Sequence, residues 1–265
     1  MTKPRILIAT PTPGQCPEAA RVCYGYARLL RRIAQDIEHV DVLDPEEIDD
    51  VGYGTDLVRA RSRIVHQAIA HARGYTHVLW WDSDVIVDDP GVLRAMLATG
   101  KDLIGAPYTK KSLRVDRVTK WINALGDKPV VDADVYAQLY DFPARAGDVD
   151  GPTTVRRDGD CLEVEGLGMG FFLTSTAALR ALTARYREAF SFGIRGERMV
   201  ALFQLVLPSE RGAGPTGELL SEDYSFQMRA REAGFLTWCY VGPGTPLGHA
   251  GDHVFRGVRS GIIRG

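Results

Sequence analysis

Short apolar runs rich in β-branched residues alternate with longer segments of helical periodicity through the first 111 residues of the chain. The runs RILIAT, HVDVL and HVLWWD are typical of buried strands, whereas the segments between them place apolar residues three and four positions apart. This alternation is the pattern of βαβ units, in which helices connect the strands of a mainly parallel sheet. The sequence therefore predicts an α/β fold.

The same reasoning assigns elements along the rest of the chain. Helices are predicted over residues 18–36, 55–72, 91–99, 176–186 and 221–234, with further strands over 102–108 and 235–241 and a pair of strands within 161–175. Asp89 before Pro90 is typical of a helix start, with an N-cap followed by proline at the first helical position. Residues 112–160 are predicted to form an antiparallel excursion with loops, and residues 190–217 a mobile loop or lid.

Composition narrows the class of protein. At 265 residues, with 45% hydrophobic and 25% charged side chains, the chain is long enough for one large globular domain. Its net charge of -2 gives no overall electrostatic case for binding nucleic acid or a membrane. No run approaches the ~20 apolar residues that span a bilayer, and the N-terminus lacks the apolar segment of a signal peptide, so we expect a cytoplasmic protein. The scattered Cys16, Cys23, Cys161 and Cys239 lack the spacing of a zinc site and are expected to be free thiols.

Two carboxylates, two residues apart, end one of the predicted strands. The pattern Asp-x-Asp occurs four times, starting at Asp82, Asp132, Asp148 and Asp158, and only the first follows a buried apolar run. Ligands of open α/β sheets bind at the carboxyl ends of strands, where Asp82 and Asp84 are expected. Because two buried carboxylates repel each other and lose hydration, a divalent metal would stabilise them. The alternative is a strand-end turn in which both carboxylates are solvated or cap a backbone amide.

Arg61 is an unusual residue in the predicted helix over residues 55–72. It lies on the stripe that Leu57 and Ile64 mark as buried. An inward-facing guanidinium near the start of a helix requires a planar anion, which can be a phosphate group of a ligand or a protein carboxylate such as Asp82. Both alternatives stay open from the sequence alone.

Three glycines in alternate positions, Gly166, Gly168 and Gly170, separate two apolar segments. They do not open a helix of a βαβ unit, so the dinucleotide-binding fingerprint does not apply. The glycines indicate either a close approach of the backbone to a ligand or a β-bulge.

Acidic and histidine residues toward the C-terminus complete the polar motifs. Glu222 and Asp223 follow the expected N-cap Ser221, where the helix dipole favours acids irrespective of any function. His249 and His253 lie in a segment rich in glycine, and their side chains are either solvated or available to a metal.

Taken together and in order, these motifs resemble those of the nucleotide-sugar-dependent glycosyltransferases of the GT-A fold. WWDSD is similar to the Asp-x-Asp motif of that family, GLGMG to its glycine loop, SED to its acidic motif and LGHAG to its C-terminal metal-binding histidine. The resemblance spans residues 5–257, and the joint occurrence is far more specific than any one motif.

The resemblance implies a Rossmann-like α/β/α sandwich with a mixed central sheet, in a single domain over residues 1–265. Residues 1–111 would form the nucleotide-binding half and residues 112–257 the acceptor-binding half, with the lid near residues 190–217. The implied activity is transfer of a sugar from a nucleotide-sugar donor to a hydroxyl acceptor.

The resemblance also implies ligands and site residues. Asp84 and His249 would bind Mn²⁺ or Mg²⁺, while Asp82 would meet the metal through water or the ribose. The expected donor is a UDP-sugar, with GDP as the less common nucleotide. The residues implied in donor binding are Thr10, Pro11, Asp56, Arg61, Asp82, Ser83, Lys110, Gly168 and His249, and Lys111 could share the phosphate charge. Asp223 would be the general base of an inverting reaction, with Glu222 as the fallback.

Two other functions stay open. A nucleotidyltransferase shares the general fold, but PTPGQCPEAA, which follows the first predicted strand, lacks the glycine-rich loop bearing Arg and Lys that is usual in that class. A non-catalytic module would keep the sugar-nucleotide pocket, and the full set of acidic motifs argues against it. The sequence leaves open the sugar, the acceptor, the stereochemical outcome and the oligomeric state.

Overall fold

The computed structural model describes most of the predicted elements. The described residues are 4–10, 39–42, 57–70, 72, 74–82, 84–89, 91–125, 141–145, 155–194, 196–207, 219–250 and 254–255. Their helices are α1 (Leu57–Ala70), α2 (Gly91–Ala98), α3 (Val115–Leu125), α4 (Thr176–Tyr186) and α5 (Glu222–Glu232). Their strands are β1 (Arg5–Ala9), β2 (His39–Val42), β3 (His77–Trp81), β4 (Val85–Ile86), β5 (Leu103–Gly105), β6 (Ala144–Arg145), β7 (Arg157–Asp158), β8 (Cys161–Val164), β9 (Gly166–Leu167), β10 (Phe171–Ser175), β11 (Ser191–Ile194), β12 (Glu197–Val200), β13 (Thr237–Tyr240), β14 (Gly248–Ala250) and β15 (Val254–Phe255).

Eight of these strands form the central sheet, in the spatial order β2, β1, β3, β10, β5, β13, β8 and β7. Strand β1 is parallel to both β2 and β3, and β13 is parallel to β5. Strand β10 runs antiparallel between β3 and β5, and β8 is antiparallel to β13. The sheet is therefore mixed, as predicted, and the carboxyl ends of β1, β3 and β5 meet at one edge.

The two halves of the sequence interleave in this sheet. Strand β10, from the C-terminal half, is hydrogen-bonded on one side to β3 and on the other to β5, both from the N-terminal half. Separating the halves would break the middle of the sheet. The described residues therefore form a single domain, as predicted.

Strand β3 illustrates why its sequence is continuously apolar. Val78 and Trp80 belong to the core cluster on one face of the sheet, together with side chains of α1, α4 and α5. Leu79 and Trp81 belong to the cluster on the opposite face, together with side chains of α2. Because helices cover both faces, successive positions of the strand are buried rather than alternate ones. The predicted layering of helices on both sides of a mixed sheet is confirmed.

The helix starts agree with the capping residues expected from the sequence. The Oδ1 atom of Asp89 accepts a hydrogen bond from the amide of Gly91 at 2.8 Å, in the first turn of α2. Ser221 occupies the N-cap position of α5, although its side chain makes no capping hydrogen bond. Helix α1 is shorter than predicted, since it ends at Ala70, and Leu57 at its start is exposed rather than buried.

Residues 112–160 contain antiparallel strands, as predicted, since β6 pairs with β9 and β7 pairs with β8. They also contain α3, which was not predicted. The apolar residues of α3 recur with helical spacing, but Val115 and Ile122 remain 60% and 44% exposed. The segment thus lacks the buried face that marks the other helices. The strands expected as a pair within residues 161–175 also differ: β8 and β10 both form, yet β5 and β13 lie between them.

Residues 190–207 form a packed hairpin where a mobile loop was predicted. Strand β11 pairs antiparallel with β12, and the chain then buries Leu202 and Phe203. The Phe203 ring stacks on that of Phe226 in α5, with centroids 4.6 Å apart. The rest of the predicted lid, residues 208–217, and the predicted helix over residues 18–36 lie outside the described residues.

Two further predictions concern membranes and thiols. No helix in the described part of the chain is long and apolar enough to cross a bilayer. Cys161 and Cys239 are buried free thiols, as predicted, and burial raises the pKa of Cys239 to about 12. Cys16 and Cys23 lie outside the described residues.

Candidate active site at the carboxyl edge of the sheet

Strand pairing brings distant polar residues together where β3 ends. Asp82 follows β3 directly, and its amide donates a 2.9 Å hydrogen bond to the carbonyl of Gly170. Asp84 stands just before β4, which pairs antiparallel with β14 so that Val85 lies opposite His249. This pairing places an imidazole from the C-terminal region beside the second carboxylate of the Asp-x-Asp motif.

Asp84, Lys111 and His249 form a group that we name the Asp84 cluster. The Oδ2 atom of Asp84 accepts a 2.5 Å hydrogen bond from Lys111 Nζ and lies 3.4 Å from His249 Nε2. His249 Nδ1 lies 2.7 Å from the carbonyl oxygen of Thr109. A carbonyl only accepts hydrogen bonds, so Nδ1 carries a proton. The Tyr108 ring packs edge-on against the imidazole, with centroids 5.0 Å apart.

Arg61, Asp82, Glu222 and Asp223 form a second group, the Arg61 cluster. Arg61 is 1% exposed, and its guanidinium forms an ion pair with Asp223. The same guanidinium lies 3.8 Å from Asp82 Oδ1 and 3.7 Å from Glu222 Oε1. The Phe203 ring packs on it at 5.4 Å. The structure therefore supplies Arg61 with protein carboxylates, which were one of the two alternatives from the sequence.

The two carboxylates of the Asp-x-Asp motif have opposite pKa shifts. Burial, reinforced by the nearby Asp84 and Glu222 carboxylates, raises the pKa of Asp82 to about 6, although Arg61 opposes the shift. Burial would also raise the pKa of Asp84, but hydrogen bonds from His249 and Lys111 outweigh it and lower this pKa to about 2. Asp84 is therefore ionised at neutral pH. Around Asp82, the attraction of Arg61 does not offset the cost of burying a charged carboxylate.

Helix α5 holds the glycine-rich segment against the sheet edge. The Oδ2 atom of Asp223 accepts a 2.9 Å hydrogen bond from the amide of Met169. The Gln227 side chain accepts from the amide of Leu167 at 2.8 Å and donates to its carbonyl at 2.5 Å. Asp223 thus has one oxygen on a buried guanidinium and the other on a backbone amide.

The glycines of this segment make room for side chains of the protein itself. A Cβ atom on Gly170 would lie 2.8 Å from carbons of the Tyr108 ring, and one on Gly168 would lie 2.9 Å from Pro143. The amide of Gly170 also donates a 3.2 Å hydrogen bond to the Tyr108 hydroxyl. Close packing of Tyr108 explains the absence of side chains here, an explanation that neither sequence-based alternative had considered.

The Asp84 cluster contains two ligand types that suit Mn²⁺ or Mg²⁺, a carboxylate oxygen and an imidazole nitrogen. Since Nδ1 already carries a proton, the contact of Nε2 with Asp84 Oδ2 needs one more positive charge, either a second proton on Nε2, which then donates to Asp84, or a cation close to both atoms. The backbone bond that fixes this tautomer is the usual outer partner of a metal-binding histidine. The donor set therefore fits a divalent metal.

Asp82 is not placed as a third metal ligand beside Asp84 and His249. Within the described ranges, no three His, Cys, Asp or Glu side chains are grouped closely enough to hold a metal. The structure places Asp82 beside Arg61, at 3.8 Å, so a metal on Asp84 and His249 would take its remaining ligands from water or from phosphate oxygens.

Other predicted site residues lie at or near the same edge. Thr10 follows β1, and its hydroxyl is buried without a hydrogen-bond partner among the described residues. The Thr109 hydroxyl, in the residue that binds His249, is also buried without one. Lys110 is exposed. Pro11, Asp56, Ser83 and His253 lie outside the described residues.

Three contributors to the site were not found from the sequence. Tyr108 and Gln227 support the imidazole and the glycine segment, and the amide of Met169 fixes Asp223. Tyr108 is the last residue of a predicted strand, and Gln227 is four residues after Asp223 in a predicted helix, so the position of each in its element marked it as a candidate. Their partners depend on tertiary packing, which gives no local pattern.

Comparison with known proteins gives weak likenesses. No family model matches the sequence, and no curated protein matches it. The structure is similar to that of A197 from STIV, with 14% identity and a TM-score of 0.44, over 94% of this chain and 86% of that one.

Two transferases are similar at lower scores. A mannose-1-phosphate geranyltransferase from Thermus thermophilus is 14% identical, with a TM-score of 0.34, over 70% of this chain and 61% of that one. Mouse xyloside xylosyltransferase 1, in its apo form, is 11% identical, with a TM-score of 0.30, over 87% of this chain and 82% of that one. Scores this low support no conclusion about the family or the activity of this chain.

Proposed function

We propose that this chain is a metal-dependent glycosyltransferase that transfers a sugar from a UDP-sugar to a hydroxyl-bearing acceptor. The observation that carries the proposal is the convergence of the two acidic motifs on Arg61. Its guanidinium lies 3.8 Å from Asp82 and 3.7 Å from Glu222, two residues 140 positions apart in sequence, and it forms an ion pair with Asp223. The resemblance places these motifs on the donor and acceptor sides of one reaction centre.

The donor would bind along the edge from β1 to the Asp84 cluster. Asp84 and His249 would hold the metal, which neutralises charge on the departing diphosphate when bound. The buried Thr10 hydroxyl, which lacks a partner among the described residues, suits a hydrogen bond to the nucleoside. Exposed Lys110 would add positive charge near the phosphates.

The acceptor hydroxyl would lose its proton to a carboxylate of the acidic motif. Both oxygens of Asp223 are engaged, one by Arg61 and one by the amide of Met169. Glu222 has a more open side chain, and Arg61 approaches it only to 3.7 Å. For an inverting reaction we therefore favour Glu222 as the general base, with Asp223 as the residue that positions Arg61 and the glycine segment.

Incubation with a panel of UDP-sugars and Mn²⁺ tests the reaction class. We expect slow release of UDP with at least one sugar, by transfer to water, and loss of that release in Asp84→Ala. Release of pyrophosphate from nucleoside triphosphates, with no UDP from any sugar, would identify a nucleotidyltransferase instead. Absence of both products and of UDP binding would overturn the proposal.

Paired variants of the acidic motif test the choice of base. Glu222→Gln should lower UDP release by about 10²-fold or more while UDP affinity stays unchanged, and it should destabilise the fold less than Asp223→Asn does, since Arg61 approaches Glu222 only to 3.7 Å. Asp223→Asn should lower both stability and activity. Glu165→Gln, an exposed carboxylate near the glycine segment, is the matched control and should behave as wild type. Normal turnover in Glu222→Gln, with a folded but inactive Asp223→Asn, would return the base role to Asp223.

A further inference from the structure

Lys111 is hydrogen-bonded to the Asp84 carboxylate, which the proposed function assigns to a metal. Its ammonium lies 2.5 Å from Asp84 Oδ2, the same oxygen that faces His249 Nε2 at 3.4 Å. Both proposed metal ligands therefore meet next to a cation that the protein itself supplies. The ammonium already neutralises Asp84 in the absence of any ligand.

An ammonium and a divalent cation compete for one carboxylate oxygen. Both are attracted to the same lone pairs, and their like charges repel each other at these distances. The Lys111 side chain is 38% exposed and that of Asp84 is 39% exposed, so Lys111 has open space into which it can move. Arg61, at 1% exposure in the core, has no such freedom.

We propose that Lys111 is an exchangeable counter-ion of Asp84. In the metal-free protein it holds the carboxylate, and on metal binding it leaves Asp84 and pairs with the diphosphate of the donor. This inference rests on the proposed function, since it takes Asp84 and His249 as metal ligands. It adds that Lys111 weakens metal binding in the absence of nucleotide and strengthens nucleotide binding in the presence of metal.

Exchange at Asp84 couples the two ligands. Metal binding releases the ammonium, and the released ammonium favours the phosphate-bearing ligand, so metal and nucleotide each raise the affinity for the other. A lysine suits this exchange because its ammonium is a compact point charge on a flexible stem. The coupling depends on the positive charge of Lys111 and on its contact with Asp84.

Calorimetric titration with Mn²⁺ and with UDP tests the exchange without an activity assay. Lys111→Met should bind Mn²⁺ about tenfold more tightly than wild type in the absence of nucleotide, and UDP about tenfold more weakly at saturating Mn²⁺. Lys111→Arg keeps the charge and should stay closer to wild type in both titrations. Lys120→Met removes an exposed positive charge of α3, outside the proposed site, and should leave nucleotide-free Mn²⁺ affinity within about threefold of wild type.

Three results of these titrations would contradict the exchange of Lys111 at Asp84. Equal Mn²⁺ affinity in wild type and Lys111→Met would overturn the exchange, while UDP binding that still requires Mn²⁺ would leave the proposed function standing. Equal gains in Lys120→Met and Lys111→Met would also overturn it, because general charge and not the contact would then set the affinity. Absence of Mn²⁺ binding in every variant would overturn the exchange together with the metal site, and UDP binding in EDTA would then show whether a metal-independent nucleotide site remains.

Discussion

The Arg61 cluster and the Asp84 cluster lie side by side at one edge of the sheet. In both, a cationic side chain neutralises carboxylate charge, but the two cations differ in burial. The Arg61 cluster pairs three carboxylates with one long cationic side chain, and the Asp84 cluster pairs one carboxylate with another such side chain. In the Arg61 cluster the cation is in the core, at 1% exposure, whereas in the Asp84 cluster it is at the surface, at 38% exposure. The ion pair of Arg61 is therefore permanent because it is buried, whereas the ion pair of Lys111 is exchangeable because it is exposed.

The difference follows from the cost of desolvating charge. A buried guanidinium that loses its carboxylates keeps an uncompensated charge in a medium of low dielectric, so its pairs are not free to exchange. An exposed ammonium that leaves its carboxylate is rehydrated, so the pair is worth little and is easily replaced. The buried ion pair of Arg61 with Asp223 is suited to positioning, and the Asp84 cluster is suited to ligand binding.

Removal of the buried cation should have the largest effect on the protein. Arg61→Met leaves Asp82 and Asp223 without their guanidinium and should lower the free energy of unfolding by about 3–5 kcal/mol. Urea denaturation measures the change. Arg59→Met, at an exposed position of the same helix, is the control and should change this free energy by less than about 0.5 kcal/mol. Similar small losses in both variants would contradict the structural role of the Arg61 cluster.

The packing that joins the two clusters can be tested at a glycine. A Cβ atom on Gly170 would lie 2.8 Å from the Tyr108 ring and 2.8 Å from Val85, so Gly170→Ala should cost about 1–3 kcal/mol of stability by overpacking. Gly193→Ala is the control, because its nearest contact would be 3.9 Å from Glu197 and the position is exposed. A Gly170→Ala variant as stable as Gly193→Ala would show that Tyr108 is not packed against the glycine segment.

The opposite pKa shifts of Asp82 and Asp84 predict opposite responses to pH. The pKa of Asp82 is raised from 3.8 to about 6, so the folded protein binds this proton more readily than the unfolded chain, and stability from this group falls as pH rises through that window. The pKa of Asp84 is lowered from 3.8 to about 2, so its contribution is present above the unfolded pKa and is lost as pH falls toward 2.

The free energy of unfolding, measured at two pH values, tests this contrast between Asp82 and Asp84. The expected effect is smaller than those of the Arg61 and Gly170 variants. The stability of Asp82→Asn relative to wild type should increase between pH 4.5 and pH 7, because wild type alone deprotonates a partly buried carboxyl of raised pKa in that range. Asp84→Asn should show no such gain, since Asp84 is already ionised at both values. A pH-independent difference for Asp82→Asn would mean that the Asp82 carboxylate is well solvated in the folded protein.

The sequence predicted the elements that are buried on two faces and failed where burial is absent. The run from His77 to Trp81 was predictable because covered strands are apolar throughout. Helix α3 was missed because its apolar residues stay exposed and the flanking residues are typical of loops. The hairpin formed by β11 and β12 was missed because its strands pair with each other and not with the central sheet.

The candidate site was predictable to the extent that it follows strand ends. Asp82 and Asp84 follow a buried strand, and Arg61 lies on a buried helical stripe, so their positions had a local signal. The contact of Lys111 with Asp84 had no local signal in the sequence, because the two residues are 27 positions apart and only the folded chain brings them together. The pairing of β4 with β14 likewise had no sequence signal, since each has two or three residues.

Titration of UDP into wild type and into Asp84→Ala, each with Mn²⁺ and with EDTA, tests the central claim most directly. The Asp84 cluster, as a metal-bound donor site, predicts that removal of Mn²⁺ weakens UDP binding to wild type by about tenfold or more, within the usual range of ligand coupling. Asp84→Ala should bind UDP weakly and equally under both conditions. Equal UDP affinity of wild type with Mn²⁺ and with EDTA would contradict the account.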